Sequence, residues 1–142
     1  MPAVLQSNFT HLQEHDEQLL RLGMLAERYF ADDPNTCLLK LRQLTETLAQ
    51  MLASSVGITV RAEEGQYHLL HRLRDQGILP HEIYQLFTQV RLIGNDANHA
   101  LKGTHRDALA AMRYAWQIGV WFHRAFKEPK FKSGPLDRKS VV

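Results

Sequence analysis

The 142-residue sequence has a single cysteine, Cys37, and no long apolar run. One cysteine cannot form an internal disulfide, which excludes a disulfide-stapled secreted domain and agrees with a reducing compartment. A membrane-spanning helix needs roughly 20 apolar residues in succession, and no segment comes near that length. The amino terminus also lacks the basic start and the apolar centre of a signal peptide. These absences predict a cytoplasmic protein with no membrane partner, in which Cys37 is a small buried hydrophobe.

The sequence also lacks the short motifs that mark common catalytic sites. It has no phosphate-binding glycine-rich loop, no Gly-x-Ser-x-Gly turn, no Cys/His zinc spacing, and no acidic pair followed by the Glu-x-Lys of nucleases. His68 and His71 have a spacing that can ligate a metal ion, but no carboxylate or thiol set completes a site. We therefore predict no metal site and no cofactor in this chain, and neither ATP hydrolysis nor metal-dependent DNA cleavage by it.

The formal net charge of +2 is unevenly distributed along the chain. Residues 1–123 carry 11 Lys or Arg against 13 Asp or Glu, whereas residues 124–142 carry 6 against 2. The basic character therefore lies in the tail, and the body gives no reason to expect nucleic acid over a broad surface. The tail is also rich in Pro, Gly and Lys and has no helical period, which is typical of a linker.

Apolar residues recur at intervals of three and four along most of the chain, which is the spacing of amphipathic helices. The clearest stretch runs from Pro34 to Val56, and Gly57 follows it as a residue that ends a helix. We predict an all-α fold, a single helical bundle of about five to six helices over residues 1–126. Residues 127–142 are expected to form a basic linker or tail.

N-cap residues precede three of these predicted helices. Asp16 is a candidate N-cap for one helix, and Asp33 is a candidate cap for the helix that opens with proline. Thr104 or Asp107 can cap the last long helix, which we expect to end near Phe126.

Polar groups concentrate beside an apolar helical pattern in the stretch from Arg91 to His99. If one helix carries this stretch, a rotation of about 100° per residue places Arg91 and Asn95 on one face. Asn98 joins that face and His99 lies at its edge. Gly94 inside a helix costs roughly 1 kcal/mol relative to alanine. It therefore indicates either a close approach by a neighbouring helix or a break in this one.

Two readings of these polar side chains stay open. In the structural reading they hydrogen-bond one another and nearby helix ends, and this network fixes the helix packing. In the catalytic reading His99 is a general acid or base and Arg91 holds a phosphate. The network would consist of Arg91, Asn95, Asn98 and His99.

Two runs carry a resemblance to a known family. Residues 33–42 read Asp-Pro-Asn-Thr-Cys-Leu-Leu-Lys-Leu-Arg, and residues 91–99 read Arg-x-x-Gly-Asn-x-Ala-x-His. Together with shorter matches over residues 69–73, 79–83 and 121–122, they resemble the amino-terminal helical domain of the restriction (R) subunit of type I restriction enzymes. The resemblance covers roughly residues 8–135.

The resemblance implies a helical accessory module without chemistry of its own. In such subunits this domain precedes a nuclease domain and ATP-driven translocase domains, and the enzyme cleaves unmethylated DNA after translocation. ATP and Mg²⁺ would be cofactors of that parent enzyme. The implied partners are the other domains of the R subunit, the modification and specificity subunits, and DNA through the whole complex.

The stretch from Arg91 to His99 also resembles the signature of HEPN-type helical bundles, some of which are metal-independent RNases. That resemblance implies His99 as the base, Arg91 as the phosphate clamp and Asn95 as the group that orients the reacting atoms. The seven residues between Arg91 and His99 are more than is usual for that motif. A HEPN-like RNase or toxin-type effector is therefore an alternative function, and a helical protein–protein adaptor is another.

Overall fold

The computed structural model describes residues 7–100 and 104–136, apart from the side chains of residues 96–100. Within those ranges the chain forms helices and no strand, so the predicted all-α bundle is confirmed. No helix of the described ranges is long and apolar enough to cross a membrane. The elements are a short 3₁₀ helix (Thr10–Glu14), α1 (Glu17–Tyr29), α2 (Pro34–Ser55), α3 (Gln66–Asp75), α4 (His81–Ala100) and α5 (His105–Phe126).

Three α-helices start at the side-chain caps that the sequence predicts. The carboxylate of Asp16 accepts a backbone hydrogen bond at the start of α1, and that of Asp33 accepts one from the Thr36 N–H at 3.1 Å. At α5 both candidates act together, because Thr104 and Asp107 each accept a hydrogen bond from the other's backbone N–H. Such caps satisfy N–H groups that the helix itself cannot pair.

The central helix is α2, which packs against α1, α3, α4 and α5. Burying one leucine side chain contributes roughly 1.5–3 kcal/mol, so the apolar stripe of α2 is a main source of stability. The helix ends at Ser55, one residue before the predicted end, and Gly57 follows with a φ of 78° that suits glycine. The buried leucines of this stripe are Leu38, Leu41, Leu44, Leu48 and Leu52.

Cys37 lies in the first turns of α2 and is fully buried, as the sequence predicts. Burial raises the pKa of its thiol from 9.0 to about 12, and the negative charges of Glu27 and Asp33 add to the shift. A thiolate is the reactive form of cysteine. We therefore expect iodoacetamide at pH 8 to alkylate Cys37 at least about 100-fold more slowly in the folded chain than in denaturant. Mass spectrometry of timed samples measures both rates, and similar rates would contradict the burial.

The segment after α5 begins by folding back onto the bundle. The Glu128 N–H donates to the His123 carbonyl at 3.0 Å, and the Arg124 Nε donates to the Phe131 carbonyl at 2.7 Å. The last helix thus ends at Phe126, as the sequence predicts. The first residues of the expected linker, 127–131, nevertheless contact the end of that helix.

Candidate functional site

Arg91 and Asn95 line one cleft of about 370 Å³ between α2, α3 and α4. Both residues lie on α4, one helical turn apart, so the same rotation that the sequence suggested places them on one face. Arg42 from α2 and Tyr67 from α3 complete the walls near them. The structure therefore brings together the first two of the four predicted polar residues.

Arg91 contacts an aromatic ring in this cleft. Its Cζ lies 5.3 Å from the centre of the Tyr67 ring, within the range of a cation–π interaction. Its Nε is buried and, within the described part of the chain, has no hydrogen-bond partner. Two carboxylates line the same cleft, but Glu46 pairs with Arg42 at 3.0 Å and Glu64 pairs with Arg72 at 2.6 Å. Among the described residues, neither carboxylate forms an ion pair with Arg91.

Gly94 lies inside α4, and the helix runs through it without a break. A Cβ built on Gly94 would lie 3.4 Å from the Cβ and Cδ of Arg42. Of the two explanations that the sequence left open, a break in the helix is not observed, and the side chain of Arg42 packs across Gly94 at an ordinary van der Waals distance. Arg42 and Asn95 line the same cleft.

The side chains of Asn98 and His99 fall outside the described residues. The hydrogen-bonded network of Arg91, Asn95, Asn98 and His99 therefore stays a prediction, and so does the catalytic reading of the same residues.

A second polar cluster, which the sequence did not predict, lies at the other end of the bundle. His123 is fully buried near the end of α5, although its ring is polar. Its Nδ1 lies 2.9 Å from the Nε2 of His15, and its Nε2 lies 2.9 Å from Oε2 of Glu128 and 3.4 Å from Oε2 of Glu14. A single imidazole thus contacts the start of the chain and the segment after α5.

Aromatic rings form the inner wall of this cluster. The ring of Phe131 packs edge-on against His123 with a centroid distance of 4.6 Å, and the His11 ring lies 4.9 Å from Phe131. Burial lowers the pKa of His11 from 6.5 to about 4, and the neighbouring His123 adds to the shift. Burial and His123 lower the pKa of His15 as well. Both rings are therefore neutral at neutral pH, which suits close packing of three imidazoles.

Sequence spacing could not show this cluster because its members come from three separate segments. His123 and Glu14 are more than one hundred positions apart, and the fold alone brings them together. One local signal was present. His11 and His15 are separated by one helical turn in a chain with eight histidines.

A family model described as a domain of unknown function, DUF4145, matches residues 25–118. The chain belongs to the DUF4145 family. The matched DUF4145 region runs from α1 into α5 and contains the cleft with Arg91 and Asn95, as well as Asn98 and His99. Glu14, His123 and Glu128 lie outside it. The second cluster therefore lies in parts of this chain that the DUF4145 model does not match.

This chain is also similar to the type I restriction enzyme EcoKI endonuclease subunit of Escherichia coli (strain K12). The two are 31% identical over 119 residues, which is 84% of this chain and 10% of that subunit. The predicted relationship to type I restriction subunits is thereby confirmed, and the chain spans about a tenth of its relative's length. No solved structure matches the chain.

Proposed function

We propose that this DUF4145 domain is an accessory, non-catalytic helical domain of a type I restriction endonuclease R subunit. The observation that carries the proposal is the 31% identity over 84% of the chain with the EcoKI endonuclease subunit. By this reasoning the parent polypeptide would cleave unmethylated DNA with ATP-driven translocation and would use ATP and Mg²⁺. Its partners would be the modification and specificity subunits, and DNA through the complex.

The geometry of the cleft supports a non-catalytic role. Bond cleavage by general acid–base chemistry needs titratable groups that are free to exchange protons. The two carboxylates that line this cleft are held in ion pairs, Glu46 with Arg42 and Glu64 with Arg72. The thiol of Cys37 is buried and carries a raised pKa, so it is a poor nucleophile.

The first test is the reading frame beyond Val142. We expect it to continue into an acidic-pair nuclease motif and a Walker lysine. We then expect the purified 142-residue chain to cleave neither DNA nor RNA.

In the full-length subunit, Arg91→Ala should leave ATP hydrolysis within about twofold of the native rate, because Arg91 lies outside the catalytic domains. Arg113→Ala, at an exposed position of α5, is the matched control. A large loss of hydrolysis confined to Arg91→Ala would contradict an accessory role.

A metal-independent RNase of the HEPN type is the second candidate, and one observation favours it. Arg91 and Asn95 share a cleft in which the Nε of Arg91 is buried and has no hydrogen-bond partner among the described residues. Arg91 as a whole is only half-buried, and a guanidinium can bind phosphate through its remaining N–H donors. This function requires a symmetric dimer with both clefts facing each other, and RNA cleavage that is lost in His99→Ala. A stable monomer without RNase activity would exclude it.

A further inference from the structure

Three ligating side chains converge on one point at the end of the bundle where α5 terminates. Glu14 comes from the 3₁₀ helix, His123 from the last turns of α5, and Glu128 from the segment that follows. One ligand atom from each of them lies within 4.8 Å of the other two. From this geometry we propose that Glu14, His123 and Glu128 bind a divalent first-row transition-metal ion such as Zn²⁺.

The spacing of the three atoms suits such an ion. Zinc binds imidazole nitrogen and carboxylate oxygen at roughly 2.0–2.2 Å, which separates neighbouring ligands of a tetrahedron by about 3.3–3.6 Å. The Nε2 of His123 lies 2.9 Å from the Glu128 oxygen and 3.4 Å from the Glu14 oxygen. Small movements of two exposed carboxylates are enough to open this triangle around an ion.

The position of His123 is that of a preorganised ligand. Its side chain is fully buried, and its Nδ1 lies 2.9 Å from the Nε2 of His15. A metal-bound histidine almost always donates its other ring N–H to an acceptor, which fixes the tautomer and the orientation of the ring. In the tautomer that donates Nδ1–H to His15, the Nε2 of His123 carries the free lone pair and faces both carboxylates.

The charges around the cluster also favour a dication. Glu14 and Glu128 bring two carboxylates to one point, and like charges so close repel each other. Among the residues that the structure describes, neither carboxylate forms an ion pair with a lysine or arginine. Arg124, the nearest arginine along α5, donates its Nε to the carbonyl of Phe131 instead. One divalent ion would balance both carboxylates.

The site has a dry inner wall and an open outer side. The carboxylate side chains are 57% and 61% exposed, whereas His123 is not exposed at all. Water can therefore complete the coordination from the outside, and entry of the ion is unobstructed. Bound metal would fasten the 3₁₀ helix and the segment after α5 to the bundle, so its role would be structural.

The proposed metal site departs from the sequence-based expectation of no metal site, and it does not depend on the proposed restriction function. Zn²⁺ alone is titrated into the 142-residue chain by calorimetry, in a buffer that does not chelate metal. We expect one ion to bind per chain. We also expect a rise in melting temperature on the order of 10 °C when free Zn²⁺ is about 100-fold above the dissociation constant. Co²⁺ should give the visible absorption of a four-coordinate site. Mg²⁺ should not compete with Zn²⁺ for the site.

The decisive variant is the double substitution Glu14→Gln with Glu128→Gln. Both side chains are exposed, so the fold should be retained, which circular dichroism without metal checks. Loss of two ligands should weaken Zn²⁺ binding by more than about 100-fold, because losing even an outer-shell partner costs 10–100-fold. His15→Gln should therefore weaken it by about 10–100-fold. Glu63→Gln, which removes one negative charge from an exposed turn, should leave the affinity unchanged.

Two results would overturn the proposal. One is a native chain that binds no Zn²⁺. The other is Zn²⁺ binding that the folded double variant retains at full strength, which would place the ion elsewhere. His68→Gln tests one such place, because His68 is an exposed histidine on α3. Loss of Zn²⁺ binding in this variant would place the ion at His68.

Discussion

Gly23→Ala is expected to lower the free energy of unfolding by about 2 kcal/mol, although alanine favours helices. A Cβ at this position of α1 would lie 2.6 Å from the Cδ2 and Cγ of Phe9. Phe9 is fully buried in the core, so its ring can move only by displacing packed neighbours. Overpacking of this kind costs up to about 3 kcal/mol, which outweighs the roughly 1 kcal/mol gained in helix propensity. Urea unfolding with an unchanged m-value measures the difference.

Gly94→Ala is the matched control, because it makes the same change in the interior of another helix. The new Cβ would meet the flexible side chain of Arg42 at 3.4 Å, an ordinary contact. We therefore expect this variant to be about 1 kcal/mol more stable than the native chain. Introducing Gly23→Ala into a Phe9→Ala background should cost much less than it does alone, because the clashing ring is gone. If Gly23→Ala left the free energy of unfolding unchanged, the Phe9 ring would be able to move away from the new Cβ.

Glu27→Ala is expected to destabilise the fold by about 3 kcal/mol. Glu27 is only 6% exposed, and its carboxylate holds the start of the chain against α1. It accepts hydrogen bonds from the Ser7 hydroxyl, from the Asn8 N–H at 2.9 Å and from the Asn8 side-chain amide at 2.8 Å. Hydrogen bonds to a charged group contribute about 1.5–3 kcal/mol each, and removing the acceptor leaves partly buried donors without it. Thermal and urea unfolding both report the loss.

Glu46→Ala provides the comparison for this prediction. Glu46 pairs with Arg42 one helical turn away, and both side chains are about one-third exposed. Exposed pairs with this spacing contribute about 0.3–0.5 kcal/mol, so this variant should be close to native stability. If both variants lost the same amount, the buried carboxylate of Glu27 would not be the reason.

The cleft with Arg91 could be predicted from the sequence only in part. A constant rotation per residue places Arg91 and Asn95 on one face of any continuous helix, so their proximity follows from the sequence. Whether the helix continues through Gly94 did not follow. The structure shows that it does, and the packing of Arg42 from α2 across Gly94 depends on the tertiary fold. The cation–π contact with Tyr67 on α3 depends in the same way on a neighbour that the sequence does not name.

By itself the sequence determined the all-α class, the main helix boundaries and the relationship to type I restriction subunits. These features rest on local causes, because caps such as Asp33 and apolar intervals of three and four act within one segment. Only the tertiary structure decided that Glu27 is buried, that residues 127–131 contact α5, and that His123 meets Glu14 and Glu128. Contacts between distant segments depend on how the helices pack, and no spacing along the chain encodes that distance.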